Sequence, residues 1–292
     1  MQIPEYENYH ETKSHSTPDF PYNAYICSIP LDFEKVPLHW HDEVEIIYIK
    51  KGRGRVTLDF TSLYVEAGDI IIVSPGQLHA IGPAEYSMEY ENIIFSLDLL
   101  CTGSMDALSS KFFEPFLAGT IGFNHLVCCD DEHYPTLSSC LNHIDSISSS
   151  FPKGYRLAIK GALFTFFYTI FTNSTDIPAP KNDPHIERLK SVLKYIETHY
   201  MSSISIDEIS AVSGFSASHF MRFFKSAMGT SFTSYLSSYR LSMAARLLML
   251  TNDSILDIAL SCGYENLSYF NRSFKKRYKK TPSEYRRGSD ET

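Results

Sequence analysis

The chain has few of the features that mark secreted, membrane or disulfide-stabilised proteins. It has six cysteines in 292 residues, none of them in a CxxC pair, and a single tryptophan. This usage favours reduced thiols in a cytoplasmic protein. The longest apolar stretch, 163–171, spans about half of a bilayer, so we expect no membrane-spanning helix. The first fifteen residues have no basic segment followed by an apolar core, and we therefore expect no signal peptide.

Charge divides the chain into two halves. Residues 1–180 hold ten Lys and Arg against 23 Asp and Glu, whereas residues 181–292 hold 16 against 11. Within 262–287 eight residues are basic and two are acidic. An acidic half followed by a basic half predicts two tasks, and the basic half is the candidate to bind a polyanion.

Turn residues and hydrophobic periodicity divide the chain further. Residues 20–100 contain short strand-like runs separated by turns, which is typical of a sandwich or barrel, and we expect one chain reversal at Lys50–Gly54. Residues 105–172 are predicted to be helical. Their apolar run 155–171 must be buried on the barrel or against a second copy of the chain. The proline-rich segment 173–184 is a predicted linker.

The basic half contains an internal repeat. IDEISAVSGF (206–215) matches ILDIALSCGY (255–264) at an offset of 49 residues, and FMRFFK (220–225) matches FNRSFK (270–275) at an offset of 50. Each copy is predicted as a short helix, a turn at glycine and a second helix, the plan of a helix-turn-helix. Residues 232–250 between the copies are predicted as one helix of about 28 Å, close to the ~34 Å of one DNA turn.

Two phenylalanines in each second helix indicate which face is exposed. In the first copy Phe220 and Phe224 are four residues apart and point to the core. Arg222 lies about 200° around the helix from Phe220, away from that core. An exposed face with Arg and Lys is what a reader of the DNA major groove needs. A helical bundle with incidental surface charges would not repeat this pattern in register.

These motifs resemble the AraC family of bacterial transcription regulators. The resemblance rests on DEISAVSGFSASHFMRFFK, YLSSYRLSMAARLL, ILDIALSCGYENLSYFNRSFKK and TPSEYRR, and it covers 185–287. It implies a DNA-binding unit of seven helices, of which the third and the sixth read bases. The implied base contacts are Ser218, Met221 and Arg222 in the first copy and Leu267, Ser268, Asn271 and Arg272 in the second, with Lys225, Lys275 and Lys276 on the DNA backbone.

Four polar residues in the acidic half resemble the two cupin motifs. The stretch 39–45 provides His39, His41 and Glu45, and His79 follows a Gly68-Asp69 pair, although Pro75 sits one place later than usual. Positions 39, 41 and 45 share parity on a strand, so we expect their side chains to face the same way. Three imidazoles and a carboxylate suit a divalent transition metal. Three interpretations stay open: structural polar groups, the lining of an effector pocket, or a metal site with catalysis.

The sequence thus predicts an α+β multidomain protein. We expect a cupin-like effector-sensing β-barrel over 1–104, a helical dimerisation segment over 105–172, a linker over 173–184 and an AraC-type DNA-binding domain with two helix-turn-helix motifs over 185–287. Phe164, Phe167 and Phe171 form the candidate dimer interface. The effector pocket is assigned to His39, His41, Glu45 and His79, and neither a catalytic residue, a metal nor a cofactor is expected.

The predicted function is a cytoplasmic, homodimeric, sequence-specific transcription regulator controlled by a small molecule. The family resemblance suggests a sugar. The expected partners are double-stranded DNA, the effector, a second copy and, for an activator, RNA polymerase, with no membrane partner. One alternative is a metal-dependent cupin enzyme with an appended helical domain. Another is a constitutive DNA-binding protein whose barrel only dimerises.

Overall fold

The computed structural model describes residues 20–32, 35–82, 87–101, 107–176 and 183–287. Two compact units divide between Asp183 and Pro184. The first is rich in strands and the second is helical, which confirms the predicted α+β fold class. The first fifteen residues, where no signal peptide is expected, and the middle of the predicted linker lie outside the described residues.

The first unit is built on antiparallel strands. They are β1 (Tyr22–Ile29), β2 (Val36–His39), β3 (Val44–Leu58), β4 (Thr61–Glu66), β5 (Ile70–Val73), β6 (His79–Ile81), β7 (Met88–Phe95), β8 (Ile121–Gly122), β9 (Leu126–Val127) and β10 (Thr175–Asp176). One path through the sheet runs β1-β7-β3-β5-β9. The second half of β3 pairs instead with β4 and β6, and β6 pairs with β2, so β3 belongs to both parts of the sheet.

The long strand β3 does not reverse where the sequence suggested a turn. Gly52 has a φ of +78°, and a Cβ at this position would lie 1.9 Å from the Ser87 carbonyl oxygen. The register of β3 against β7 shifts between Ile49 and Lys51. A glycine that accommodates such a bulge bends a strand without ending it. The expected reversal at Lys50–Gly54 is therefore wrong, and the two predicted runs form one strand.

Both faces of the sheet are buried along the first half of β3 and at β5. Ile47 and Ile49 of β3 belong to an aliphatic cluster gathered from β1 to β7. Ile46 and Tyr48, which alternate with them, pack toward α2 (Tyr134–Ser148) and α3 (Tyr155–Thr172). Burial on both faces explains why β5 reads as the uninterrupted apolar run IIIV. A 3₁₀ turn (Leu97–Leu99), a π-helical turn (Ser109–Phe113) and the short helix α1 (Glu114–Leu117) precede these two helices.

The apolar helix α3 packs on the core of its own unit. Phe167 is 1% exposed and its ring lies against those of Phe95 and Phe116. Phe167 therefore cannot be part of a dimer interface, contrary to the expectation from the sequence. Leu157 and Tyr168, on another face of α3, are 78% and 69% exposed. Among the described residues, no helix combines the length and the hydropathy that a membrane crossing requires.

The second unit has seven helices within residues 183–287, as the family resemblance implied. They are α4 (Pro184–His199), α5 (Ile206–Ser213), α6 (Ala217–Met228), α7 (Phe232–Leu250), α8 (Ile255–Ser261), α9 (Leu267–Tyr278) and α10 (Pro282–Arg287). Ser205 and Glu208 form a reciprocal capping box at the start of α5. Gly214 ends the same helix in the left-handed conformation, with a φ of +67°.

Two arginines tie the helix-turn-helix copies to the connecting helix α7. Arg240 of α7 donates to the carbonyl oxygens of Tyr200 and Ser202, each at 2.7 Å, just after α4. Arg286 of α10 donates to the carbonyl oxygens of Leu248 and Asp253, at 3.3 and 2.6 Å, around the end of α7. Hydrogen bonds from a charged guanidinium to carbonyl oxygens are stronger than those between neutral groups, so they hold the segments that follow α4 and α7 in place.

Candidate DNA-binding surface and buried histidine cluster

Helix α6 is held by its phenylalanine pair and leaves the opposite face exposed. Phe220 and Phe224 are fully buried with ring centroids 5.6 Å apart, and Phe224 also lies 5.2 Å from the ring of Tyr235 on α7. The Ser216 hydroxyl caps the start of the helix by accepting from the backbone N–H of His219. The residues predicted to contact DNA from this helix are all exposed: Ser218, Met221, Arg222 and Lys225.

Helix α9 repeats this arrangement in the second copy. Phe270 and Phe274 are fully buried with centroids 5.6 Å apart, and the Asn266 side chain caps the helix by accepting from the Tyr269 N–H. Leu267 and Asn271 are only half-buried, and Leu267 packs against the core of this copy. The other predicted DNA contacts of this helix are exposed: Ser268, Arg272, Lys275 and Lys276.

One residue on this surface was missed by the sequence reasoning. Tyr269 is 49% exposed, and the Arg272 guanidinium lies over its ring at 5.7 Å from the centroid. A stacked ring restricts the guanidinium and leaves its N–H groups available. The sequence did contain a signal for Tyr269: it is an aromatic residue directly after Ser268, on the side of α9 that was predicted to be exposed and polar.

The histidine cluster lies inside the sheet-rich unit. His39 ends β2, His41 lies in the connection to β3, Glu45 is on β3 and His79 begins β6. Their exposed fractions are only 1–2%. The parity argument assumed one strand for positions 39, 41 and 45. The structure brings them together differently, through two strands and the turn between them.

Glu45 is the centre of this cluster. Its Oε2 atom lies 2.8 Å from His41 Nε2 and 2.8 Å from His79 Nε2. The ring centroids of His39 and His79 are 4.1 Å apart. Burial acts to raise the pKa of Glu45, but the charge of His79 and the hydrogen bonds of both neighbouring histidines hold that pKa well below its usual range. Burial also lowers the pKa of the His39 imidazole well below its usual value.

Comparison with known families identifies both units. Residues 31–166 match the family described as an AraC-like ligand binding domain, and residues 209–288 match a helix-turn-helix domain. The chain belongs to the AraC family. Members of this family are DNA-binding transcription regulators, and this chain carries the ligand-binding domain beside the helix-turn-helix unit. Membership in a family of regulators decides against the alternative of a cupin enzyme.

Three known proteins show what this AraC-family chain is similar to. The uncharacterised HTH-type transcriptional regulator YdeC of Bacillus subtilis is 22% identical over 96% of this chain and 97% of its own length. The transcriptional regulator Rob of Salmonella typhimurium is 37% identical over 35% of each chain, so this chain matches about a third of Rob. The solved structure of unsaturated fatty acid-bound ToxT from Vibrio cholerae is 15% identical, with a TM-score of 0.42, and covers 91% of this chain and 94% of its own.

Proposed function

We propose that this protein is a ligand-responsive, sequence-specific transcription regulator that reads DNA with α6 and α9. The carrying observation is that both helices bury a phenylalanine pair and turn a polar, basic face to solvent. Buried aromatic anchors fix the orientation of a recognition helix, and side chains on its outer face can then reach base edges in the major groove.

Each exposed side chain has a proposed partner on the duplex. Arg222 and Arg272 each donate two hydrogen bonds to a guanine. Met221 and the exposed part of Leu267 contact thymine methyl groups. Ser218, Ser268 and Asn271 complete the base contacts. Lys225, Lys275 and Lys276 contact phosphates. The last-turn lysines of α9 have a second role, because cations stabilise the C-terminal end of a helix.

The connecting helix supplies the spacing between the two readers. α7 has 19 residues and therefore a length of about 28 Å. This is close to the ~34 Å between successive major grooves on one face of DNA. We infer that one chain contacts two consecutive grooves.

The effector is proposed to bind at the histidine cluster in the sheet-rich unit. A carboxylate and three imidazoles that are 1–2% exposed cost desolvation free energy, and such clusters concentrate at binding sites. A sugar is the proposed effector, because its hydroxyl groups would pair with these donors and acceptors. Binding can shift DNA affinity only by the difference in effector affinity between the two states of the protein.

A second copy is proposed to pack on the exposed face of α3. Leu157, Gly161 and Tyr168 share this face at spacings of four and seven residues. Leu157→Glu and Tyr168→Glu are therefore expected to yield a monomer in light scattering, while a dimer that survives both changes would exclude this interface. The site of action is the cytoplasm, where the DNA target lies, and an activator would also contact RNA polymerase.

The test of the proposed function begins with selection of bound duplexes from a random DNA pool. Fluorescence anisotropy with the selected duplex then measures affinity in the presence and absence of a panel of sugars. We expect one sugar to change the affinity and to raise the melting temperature. If no DNA sequence is enriched in this selection, the proposed function as a sequence-specific regulator is wrong. An affinity unchanged across the panel would favour the constitutive DNA-binding protein, whose sheet-rich unit only dimerises.

A further inference from the structure

A second charged cluster of the sheet-rich unit lies where α2 packs on β3 and β7. The Lys50 Nζ atom lies 2.6 Å from Oδ2 of Asp145 and 3.0 Å from Oε2 of Glu91. Glu91 is only 3% exposed. The same ammonium group lies over the Tyr48 ring, 4.0 Å from its centroid. We call Lys50, Glu91 and Asp145 the carboxylate clasp, because they join two strands to α2.

The charges within the carboxylate clasp do not balance when both acids are ionised. Glu91 and Asp145 then carry two negative charges, and Lys50 contributes one positive charge. Both carboxylates reach the same nitrogen atom, so they are also close to each other. Two like charges that share a buried site repel, and one proton held between the two carboxyl groups removes this repulsion.

The side chains that face the clasp from β1 and α3 leave this balance unchanged. Tyr22 of β1 is close to Ser148 at the end of α2, and burial raises the pKa of its hydroxyl, so Tyr22 is neutral. Arg156 of α3 lies over the ring of Phe20, 5.2 Å from its centroid. Its guanidinium therefore faces an aromatic ring that separates it from Tyr22. The proton balance is decided within the clasp.

We propose that the carboxylate clasp is a proton-linked latch, which holds the last turns of α2 on the sheet at neutral pH and releases them in alkaline solution. With the proton present, Glu91 donates to Asp145 while Lys50 neutralises the Asp145 charge. Loss of the proton leaves two carboxylates against one ammonium. Burial and the hydrogen bond with Asp145 raise the pKa of Glu91 to about 8, although Lys50 acts to lower it.

The direction of the effect follows from the two states of α2. In the released state Glu91 is in water, where a glutamate has a pKa of about 4.3. In the docked state its pKa is raised, so docking takes up a proton. The stabilisation from this proton is complete below the pKa of the released state. It decreases as the pH rises and is lost above the pKa of the docked state.

Only the regulatory consequence rests on the proposed function. α2 and α3 share one apolar core, and the outer face of α3 is the proposed contact with a second copy. Release of α2 would then weaken the dimer and alter DNA binding. The latch itself is measurable without DNA and without an effector, so the two ideas can fail separately.

The test is hydrogen exchange of the full chain, read by mass spectrometry over residues 144–149 and corrected for the intrinsic pH dependence of exchange. In the wild type, the opening equilibrium of these residues is expected to rise about tenfold for each pH unit up to about 8 and to level off above it. Glu91→Gln keeps the shape and can still donate to Asp145, but it cannot ionise. Its opening equilibrium is expected to be independent of pH over the same range.

The matched control is Glu89→Gln, the same substitution two residues earlier on β7. Glu89 pairs with Lys51, whose side chain is 77% exposed, and this variant should keep the wild-type pH profile. Equal pH dependence in the wild type and Glu91→Gln, or its loss in the control, would overturn the proposal.

A measurement on the wild type alone decides if Glu91→Gln does not fold. Infrared spectroscopy should show the band of a protonated carboxyl group near neutral pH, and this band should disappear in alkaline buffer. Absence of the band near neutral pH would overturn the latch. A chain that shows the latch but binds no DNA would refute the proposed function and leave the latch standing.

Discussion

The two units place their functional side chains in opposite environments. In the helical unit Arg222 and Arg272 stay in water, while buried phenylalanines fix the helices that carry them. In the sheet-rich unit His79 and Glu45 are themselves buried, and each must find its partners inside the protein. An exposed charge changes the stability of the free protein little, whereas a buried charge lowers it by several kcal/mol unless the charge is paired. The comparison predicts that substitutions of buried side chains lower stability, whereas substitutions of exposed side chains on the reading helices change DNA binding.

The largest effect is expected from the anchors of the reading helices. Phe274→Ala removes a fully buried ring that packs against Phe270 and Tyr285. The free energy of unfolding should fall by about 3–5 kcal/mol, because the ring is lost and a cavity remains. Urea denaturation followed by circular dichroism measures it. The exposed Met221→Ala is the control, with an expected change within about 0.5 kcal/mol. Equal costs for both variants would mean that α9 is not anchored by this ring.

The next effect sharpens the contrast between buried and exposed charge. Glu45→Ala removes the carboxylate that His41 and His79 share, and it should lower the free energy of unfolding by about 3 kcal/mol, because both buried imidazoles lose their partner. Glu89→Ala breaks a pair with Lys51, whose side chain is 77% exposed, and should cost less than about 1 kcal/mol. The same denaturation experiment compares them. Similar costs would remove the distinction between the two environments.

The sequence predicted features that depend on neighbouring residues and missed features that depend on residues distant in the chain. The repeat and its turn at glycine depend on near neighbours in the chain, and both were predicted; in the structure Gly214 makes the first of these turns. The bend at Gly52 depends on Ser87, which is distant in sequence. α3 is apolar on most of its surface, so periodicity did not reveal that Phe167 faces inward.

The histidine cluster shows the same limit within a single site. Spacing identified the four residues of the candidate site, which the structure brings within 4.8 Å. It could not show that each Nδ1 meets a backbone carbonyl, because that depends on how the strands and turns orient the rings. For the same reason sequence reasoning left open three interpretations of these residues.

Binding changes without unfolding are expected from the reading face itself. Arg222→Ala should weaken binding to the selected duplex by about 1–3 kcal/mol and relax the preference at one base pair, with unfolding unchanged. Anisotropy with single-base variants of the duplex measures both. Lys190→Ala is the matched control, because this cation belongs to the same unit but lies on α4, paired with Glu187. An unchanged preference in Arg222→Ala would place the reading surface elsewhere.

The smallest effect separates phosphate contacts from base contacts on the same exposed surface. Lys275 is exposed in the last turn of α9, next to Lys276. If it neutralises one phosphate, Lys275→Ala should weaken binding to all duplexes alike and reduce the slope of log affinity against log salt concentration by about one. Anisotropy at several salt concentrations, with selected and scrambled duplexes, measures this slope. A loss confined to the selected duplex would instead make Lys275 a base contact, and α9 would then read DNA along its full length and not mainly from its first turns.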